Sequence, residues 1–214
     1  MQPGANTPYI RYTLERASRP MRLDWTAQTS ARDSHENLRG VTQPMRVQAV
    51  AHGLRVTAWD ESASFVLLSD RASADAAGGA WRRGHFLAVE AERGLDALDD
   101  LYEAGTFSVR LQPGESVTFA ASTEPEPALD GAAALAKRRD YEAALIARSP
   151  LADEPPFIRQ LLLAADQFIV ARHLDDGTTG AGVLAGFPWF GDWGRDTMIS
   201  LPGLTLATGR PELA

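Results

Sequence analysis

The chain has 214 residues, 44% hydrophobic and 23% charged, with no cysteine. That is enough for one large or two modest domains, it argues against disorder, and it leaves no disulfide or thiolate metal site. The formal charge of −7, with no long basic cluster, gives a phosphate backbone little to bind, so nucleic acid is excluded as an expected partner. The opening MQPGANTPYI lacks the charged and apolar regions of a leader. The longest apolar runs, such as Leu161 to Ala165, fall far short of the roughly 20 residues that span a bilayer. A cytoplasmic location with no membrane partner is the expectation.

From about residue 8 to 122, side-chain character alternates with period two in short runs bounded by turn residues, which predicts strands. Tyr9 to Leu14 is the first. Met21, Leu23 and Trp25 then alternate with Arg22, Asp24 and Thr26, the pattern of a half-buried antiparallel strand. Core packing is the better expectation for Trp25. Met45 to Ala51 and Leu54 to Trp59 flank His52-Gly53, a hairpin in which glycine supplies the positive φ. Ser64 to Ser69 continues the meander, and Thr106 to Leu111 and Ser116 to Ala121 flank the turn Gln112-Pro113-Gly114-Glu115. Together these predict a β-sandwich.

Prolines at 125 and 127 mark a boundary, after which alanine, leucine and charge dominate. Ala132 to Arg148 is predicted helical, with Leu135, Tyr141, Leu145 and Ile146 as its apolar stripe. Pro155-Pro156 opens a second helix to about His173, ended by the turn at Asp175-Asp176-Gly177. A third runs from near Arg195 to Thr208, stopped by Gly209. Strands first and helices afterwards imply two domains rather than one α/β sheet.

Chemistry concentrates in Ala185 to Met198, AGFPWFGDWGRDTM, predicted as an irregular loop feeding a helix. Sugars present an apolar C–H face and an edge of hydroxyls. Their sites therefore combine aromatic platforms with charged groups that hydrogen-bond in pairs. Trp189, Trp193, Arg195, Asp192 and Asp196 suit that need. Blander readings stand beside it: aromatics plugging a core, Asp192 as a helix N-cap, and Arg195 with Asp196 as a structural ion pair.

The run FPWFGDWGRDTMISLPGLTLATGR resembles the segment that opens the catalytic (α/α)6 barrel of bacterial and archaeal glycogen-debranching amylo-α-1,6-glucosidases. Upstream, RPMRLDWTAQTSARDSHENLRG and the stretch WRRGHFLAVEAERGLDALDDLYEAGTFSVRLQPGESVTFAAS resemble the later part of their N-terminal β-domain. The resemblance implies a multidomain chain, β then α: a β-sandwich over 1–124, a linker with a helix over 125–154, and the beginning of an (α/α)6 barrel over 155–214. It implies an inverting glycoside hydrolase acting on α-1,6 branch points of glycogen or limit dextrin. It also implies that Trp193-Gly194-Arg195-Asp196 matches a Trp-x-Arg-Asp motif whose Arg and Asp hold hydroxyls of the terminal glucose, with Trp193 walling that subsite.

Inverting hydrolysis needs two carboxyl groups about 6.5 to 9.5 Å apart. In the similar enzymes they lie on later loops of the barrel, so the general acid and base are expected beyond Ala214. The chain is then a fragment without debranching activity of its own, and three helices with apolar faces predict self-association.

Four histidines, His35, His52, His85 and His173, do not pair at metal-ligand spacing. No metal is expected, and without a Walker or dinucleotide glycine loop no cofactor is expected either. Two rival readings remain: a non-catalytic carbohydrate-binding β-sandwich using tryptophans such as Trp25, Trp59 or Trp81, and another (α/α)6 enzyme such as a glucoamylase, trehalase or disaccharide phosphorylase.

Overall fold

The computed structural model describes every residue except 2, 3, 34, 35, 77, 78, 175 and 187–189, together with the side chain of His173. Two compact units divide the chain, Met1–Leu135 and Ala136–Ala214.

The first unit is β-rich. In chain order it holds β1 (Tyr9–Thr13), β2 (Met21–Thr29), β3 (Arg46–Val50), β4 (Gly53–Thr57), β5 (Ser64–Ser69), β6 (Ser73–Asp75), β7 (Ala80–Phe86), a short α1 (Ala88–Glu92), β8 (Leu98–Leu111) and β9 (Ser116–Ser122). One antiparallel sheet runs β1-β9-β5-β4-β3. A second runs β2-β8-β6, with β7 also pairing β8. Alternation in the sequence places Leu54, Val56, Val117 and Phe119 from the first sheet and Ala27, Tyr102 and Phe107 from the second in one shared core. Each large side chain buried there contributes about 1.5–3 kcal/mol. Trp25 packs on the same core, its ring centroid 5.5 Å from Phe107 and 4.7 Å from Phe119. Trp59 meets the ring of Trp81, and Trp81 meets Tyr102, edge to face.

Two local expectations change. At His52-Gly53 the positive φ falls on His52, at 65°. Gly53 is needed for space, because a Cβ there would stand 2.1 Å from the Leu67 carbonyl oxygen of the neighbouring strand. Strand β8 begins at Leu98, well before the predicted Thr106. Adjacent Asp99 and Asp100 break the alternation, yet both are buried and satisfied. Asp99 accepts from Arg32 Nε at 3.1 Å and from the Leu38 amide at 2.7 Å. Asp100 accepts from Arg83 Nη1 at 2.7 Å and from the amides of Gly40 and Gly84, each at 2.9 Å.

Helix α2 (Gly131–Ala147) is capped by Asp130, whose Oδ1 accepts from the amides of Ala132 and Ala133 at 3.0 and 2.9 Å. Leu145 of the predicted stripe is fully buried, whereas Leu135 is exposed.

In the second unit α3 (Pro156–Asp166) is shorter than predicted. The chain then forms β10 (Ile169–His173), β11 (Thr179–Gly186) and β12 (Phe190–Asp192), a three-stranded antiparallel sheet ordered β10-β11-β12. The second helix therefore stops before, not at, His173, and the stretch 185–196 is not wholly irregular. The apolar spacing from Phe157 to Phe168 is helical, but β-branched Ile169 and Val170 find ladder partners in Val183 and Gly182. Pairing outweighs a marginal helical period. Asp176 closes the β10–β11 turn, accepting from the Thr178 amide at 2.9 Å and its hydroxyl at 2.6 Å.

Helix α4 (Gly194–Leu201) continues as a π-helical turn, Pro202–Leu206. Pro202 has no N–H to give, and the backbone widens to bonds such as Ala207 amide to Pro202 carbonyl at 2.9 Å. The segment ends at Gly209, φ +78°, where glycine was expected to stop it.

Candidate functional site

The junction from β12 into α4 gathers the described members of the predicted site. Trp193 occupies the helix N-cap position with extended backbone, and its carbonyl accepts from the Thr197 amide at 2.9 Å. The residue is 53% exposed, and its ring meets Phe190 edge to face at 6.2 Å. Neither ring plugs a core.

Arg195 is 81% exposed at its side chain, with Nε 4.0 Å from Asp196 Oδ2, and Asp196 is itself 48% exposed. An ion pair that long and that wet adds little to stability, so the guanidinium is available to a ligand. Asp192 makes no N-cap bond. Its Oδ1 accepts from Thr197 Oγ1 at 3.3 Å, and its Oδ2 lies 3.8 Å from Arg172 Nη2. Arg172, on β10, was not singled out in the sequence; its only signal there was the charge at the end of an apolar run. Trp189 lies outside the described residues.

Asp196 and Ser200 line a cleft of about 310 Å³ together with Phe168, Val183, Leu184, Ile199 and Leu204. That is the lower end of the roughly 300–1,000 Å³ of small-molecule sites, and a few polar groups in an apolar wall are their common make-up. Asp196 lies in the first helical turn, where its charge complements the helix dipole. The arrangement offers an exposed aromatic face, a planar five-donor cation and a carboxylate on one turn of backbone, which is what hydroxyl pairs on a sugar require.

A larger polar hollow of about 730 Å³ in the first unit includes Arg11, His52, Asp70, Thr118 and Asp130. No Trp, Tyr or Phe is in its lining, Asp70 already accepts from the Thr118 amide at 2.9 Å, and Asp130 is engaged as the cap of α2, so it is the less suited of the two to a sugar. Among the described residues, no three His, Asp or Glu side chains converge as metal ligands would. Among them, too, no helix is long and apolar enough to cross a membrane.

Comparison with known proteins adds two matches. A family model described as "Glycogen debranching enzyme N terminal" covers residues 1–118, and one described as "Amylo-alpha-1,6-glucosidase" covers residues 163–214, the stretch that contains the β12–α4 junction. No curated protein and no solved structure matches the chain.

Proposed function

Because the chain belongs to the glycogen debranching enzyme family, we propose that it serves a glycoside hydrolase of the amylo-α-1,6-glucosidase type that cleaves α-1,6 branch points of glycogen or limit dextrin with inversion. Residues 1–124 are its β-sandwich, 125–154 a linker carrying a helix, and 155–214 the opening of an (α/α)6 barrel, acting in the cytoplasm. The observation that carries the reading is the grouping of exposed Trp193, solvent-facing Arg195 and cleft-lining Asp196 on one turn.

Arg195 and Asp196 hold hydroxyls of the terminal glucose beside the scissile bond, Trp193 walls its apolar face, and Trp189 and Asp192 are outer contacts. Asp192 and Asp196 are assigned to binding and not to proton transfer. A proton donor needs an enclosed apolar setting, and their side chains are 43% and 48% exposed.

Native electrophoresis through a glycogen-containing gel tests the reading. The chain is expected to be retarded, and Arg195→Ala to run free. In the same preparation, limit dextrin is expected to release no glucose. Glucose release would overturn the assignment of these carboxylates to binding alone, and unretarded wild type would overturn the glucan reading.

A further inference from the structure

Arg172 and Asp192 stand on the two outer strands of the three-stranded sheet and meet across the middle one. Arg172 pairs in register with Gly180, and Asp192 with Leu184. On a strand, residues 180, 182 and 184 share a face, so both side chains lean diagonally toward position 182. That position is Gly182. A Cβ there would stand 2.9 Å from Arg172 Nε, 3.0 Å from Arg172 Cγ and 3.0 Å from Asp192 Oδ2. The bare backbone is what lets the two charged groups approach, to 3.8 Å between Nη2 and Oδ2.

The other oxygen of the same carboxylate accepts from Thr197 Oγ1, in the first turn of α4. Asp192 is thus held from two sides, by β10 and by the helix that carries Trp193, Arg195 and Asp196. A half-exposed pair of this kind contributes little to folding.

We propose that Arg172 is a positioning residue for the sugar-binding turn, acting through Asp192 and Thr197 across the gap left by Gly182. The proposal rests on the glucan reading of residues 193–196. The clamp fixes the direction in which the first turn of α4 leaves the sheet, and so the relative placement of the Trp193 ring and the Arg195 and Asp196 heads. Misplacement of such groups weakens their hydrogen bonds to ligand, by about three- to tenfold in affinity for each bond.

Two readouts on the full chain separate this inference from the reading it rests on. Hydrogen exchange at the amides of residues 197–200, the first in α4 to bond back along the helix, needs no ligand. Arg172→Gln and Gly182→Ala are each expected to speed it about tenfold, with Arg172→Lys close to wild type and the thermal midpoint of Arg172→Gln unchanged. Unaltered exchange in Arg172→Gln overturns the clamp, whatever the sugar does.

Titration with limit dextrin is the second readout. Affinity is expected to fall about tenfold in Arg172→Gln and to be restored by Arg172→Lys. If wild type and Arg172→Gln bind alike while Arg195→Ala binds about 10- to 100-fold more weakly, the positioning role falls and the glucan reading stands. If wild type binds no dextrin, the glucan reading falls and the positioning role goes with it.

Discussion

Arg195 and Arg210 are the same side chain in opposite settings. The first is exposed beside a cleft. The second is only 2% exposed, with Nη1 2.6 Å from Asp166 and Nη2 donating to the Leu204 carbonyl at 3.2 Å. Asp166 also accepts from the Tyr141 hydroxyl at 2.9 Å, and burial, with the bond to Asp166, pushes that phenol above its ordinary value and keeps it a donor. Removing Arg210 leaves a poorly exposed carboxylate without its cation. Arg210→Ala is expected to cost about 3–5 kcal/mol in urea unfolding, whereas an unchanged midpoint would mean that Tyr141 and water suffice for Asp166. Arg210 was not legible as structural in the sequence, because Asp166, the carboxylate it pairs with, lies 44 residues away in the chain. The grouping of Trp193, Arg195 and Asp196 on one exposed turn was legible, because these residues are contiguous in the sequence.

At the scale of elements, alternation was readable wherever one face of a strand is polar, as in β2, β4 and β9. It failed where buried charge interrupts it. The start of β8 carries two adjacent aspartates made tolerable by Arg32, Arg83, the Gly84 amide and the Leu38 and Gly40 amides of a distant loop. Hydrogen bonds from Arg83 and from the Gly84 and Gly40 amides hold the Asp100 carboxyl well below its ordinary value, at about 2. A carboxyl depressed in the folded state contributes stability above the unfolded carboxylate value of about 3.9, and that stability is lost as pH falls toward about 2. Urea midpoints are therefore expected to drop between pH 5 and 2 in wild type, and to drop less in Asp100→Asn, which starts lower. Equal pH slopes in the two proteins would contradict the role given to Asp100. The extent of α3 misled for the opposite reason. Phe157 to Phe168 keep a helical period, and nothing in that window reveals that Thr179–Gly186 folds back to pair with Ile169–His173.

For the whole molecule, composition and the order of patterns sufficed to foresee a β-rich first part followed by helices. The family was legible because two separate stretches of sequence carried it. The second unit leaves Phe157 and Leu161 on α3 and Met198 and Ile199 on α4 exposed, more large apolar surface than isolated side chains require. Sedimentation velocity is expected to show association that grows with concentration and is reduced by Phe157→Glu with Ile199→Glu. A sharp monomer at high concentration would count against it.

The proposed function makes the turn bearing Trp193, Arg195 and Asp196 the binding site for the terminal glucose of a branched glucan. Calorimetric titration of the chain with α-1,6-branched limit dextrin tests that role. Saturable heat is expected for wild type, with affinity lowered about 10- to 100-fold in Arg195→Ala and Asp196→Asn, the loss of one charge-assisted hydrogen bond each, and melting temperatures unchanged. No heat from wild type, or equal affinity in all three proteins, would contradict it.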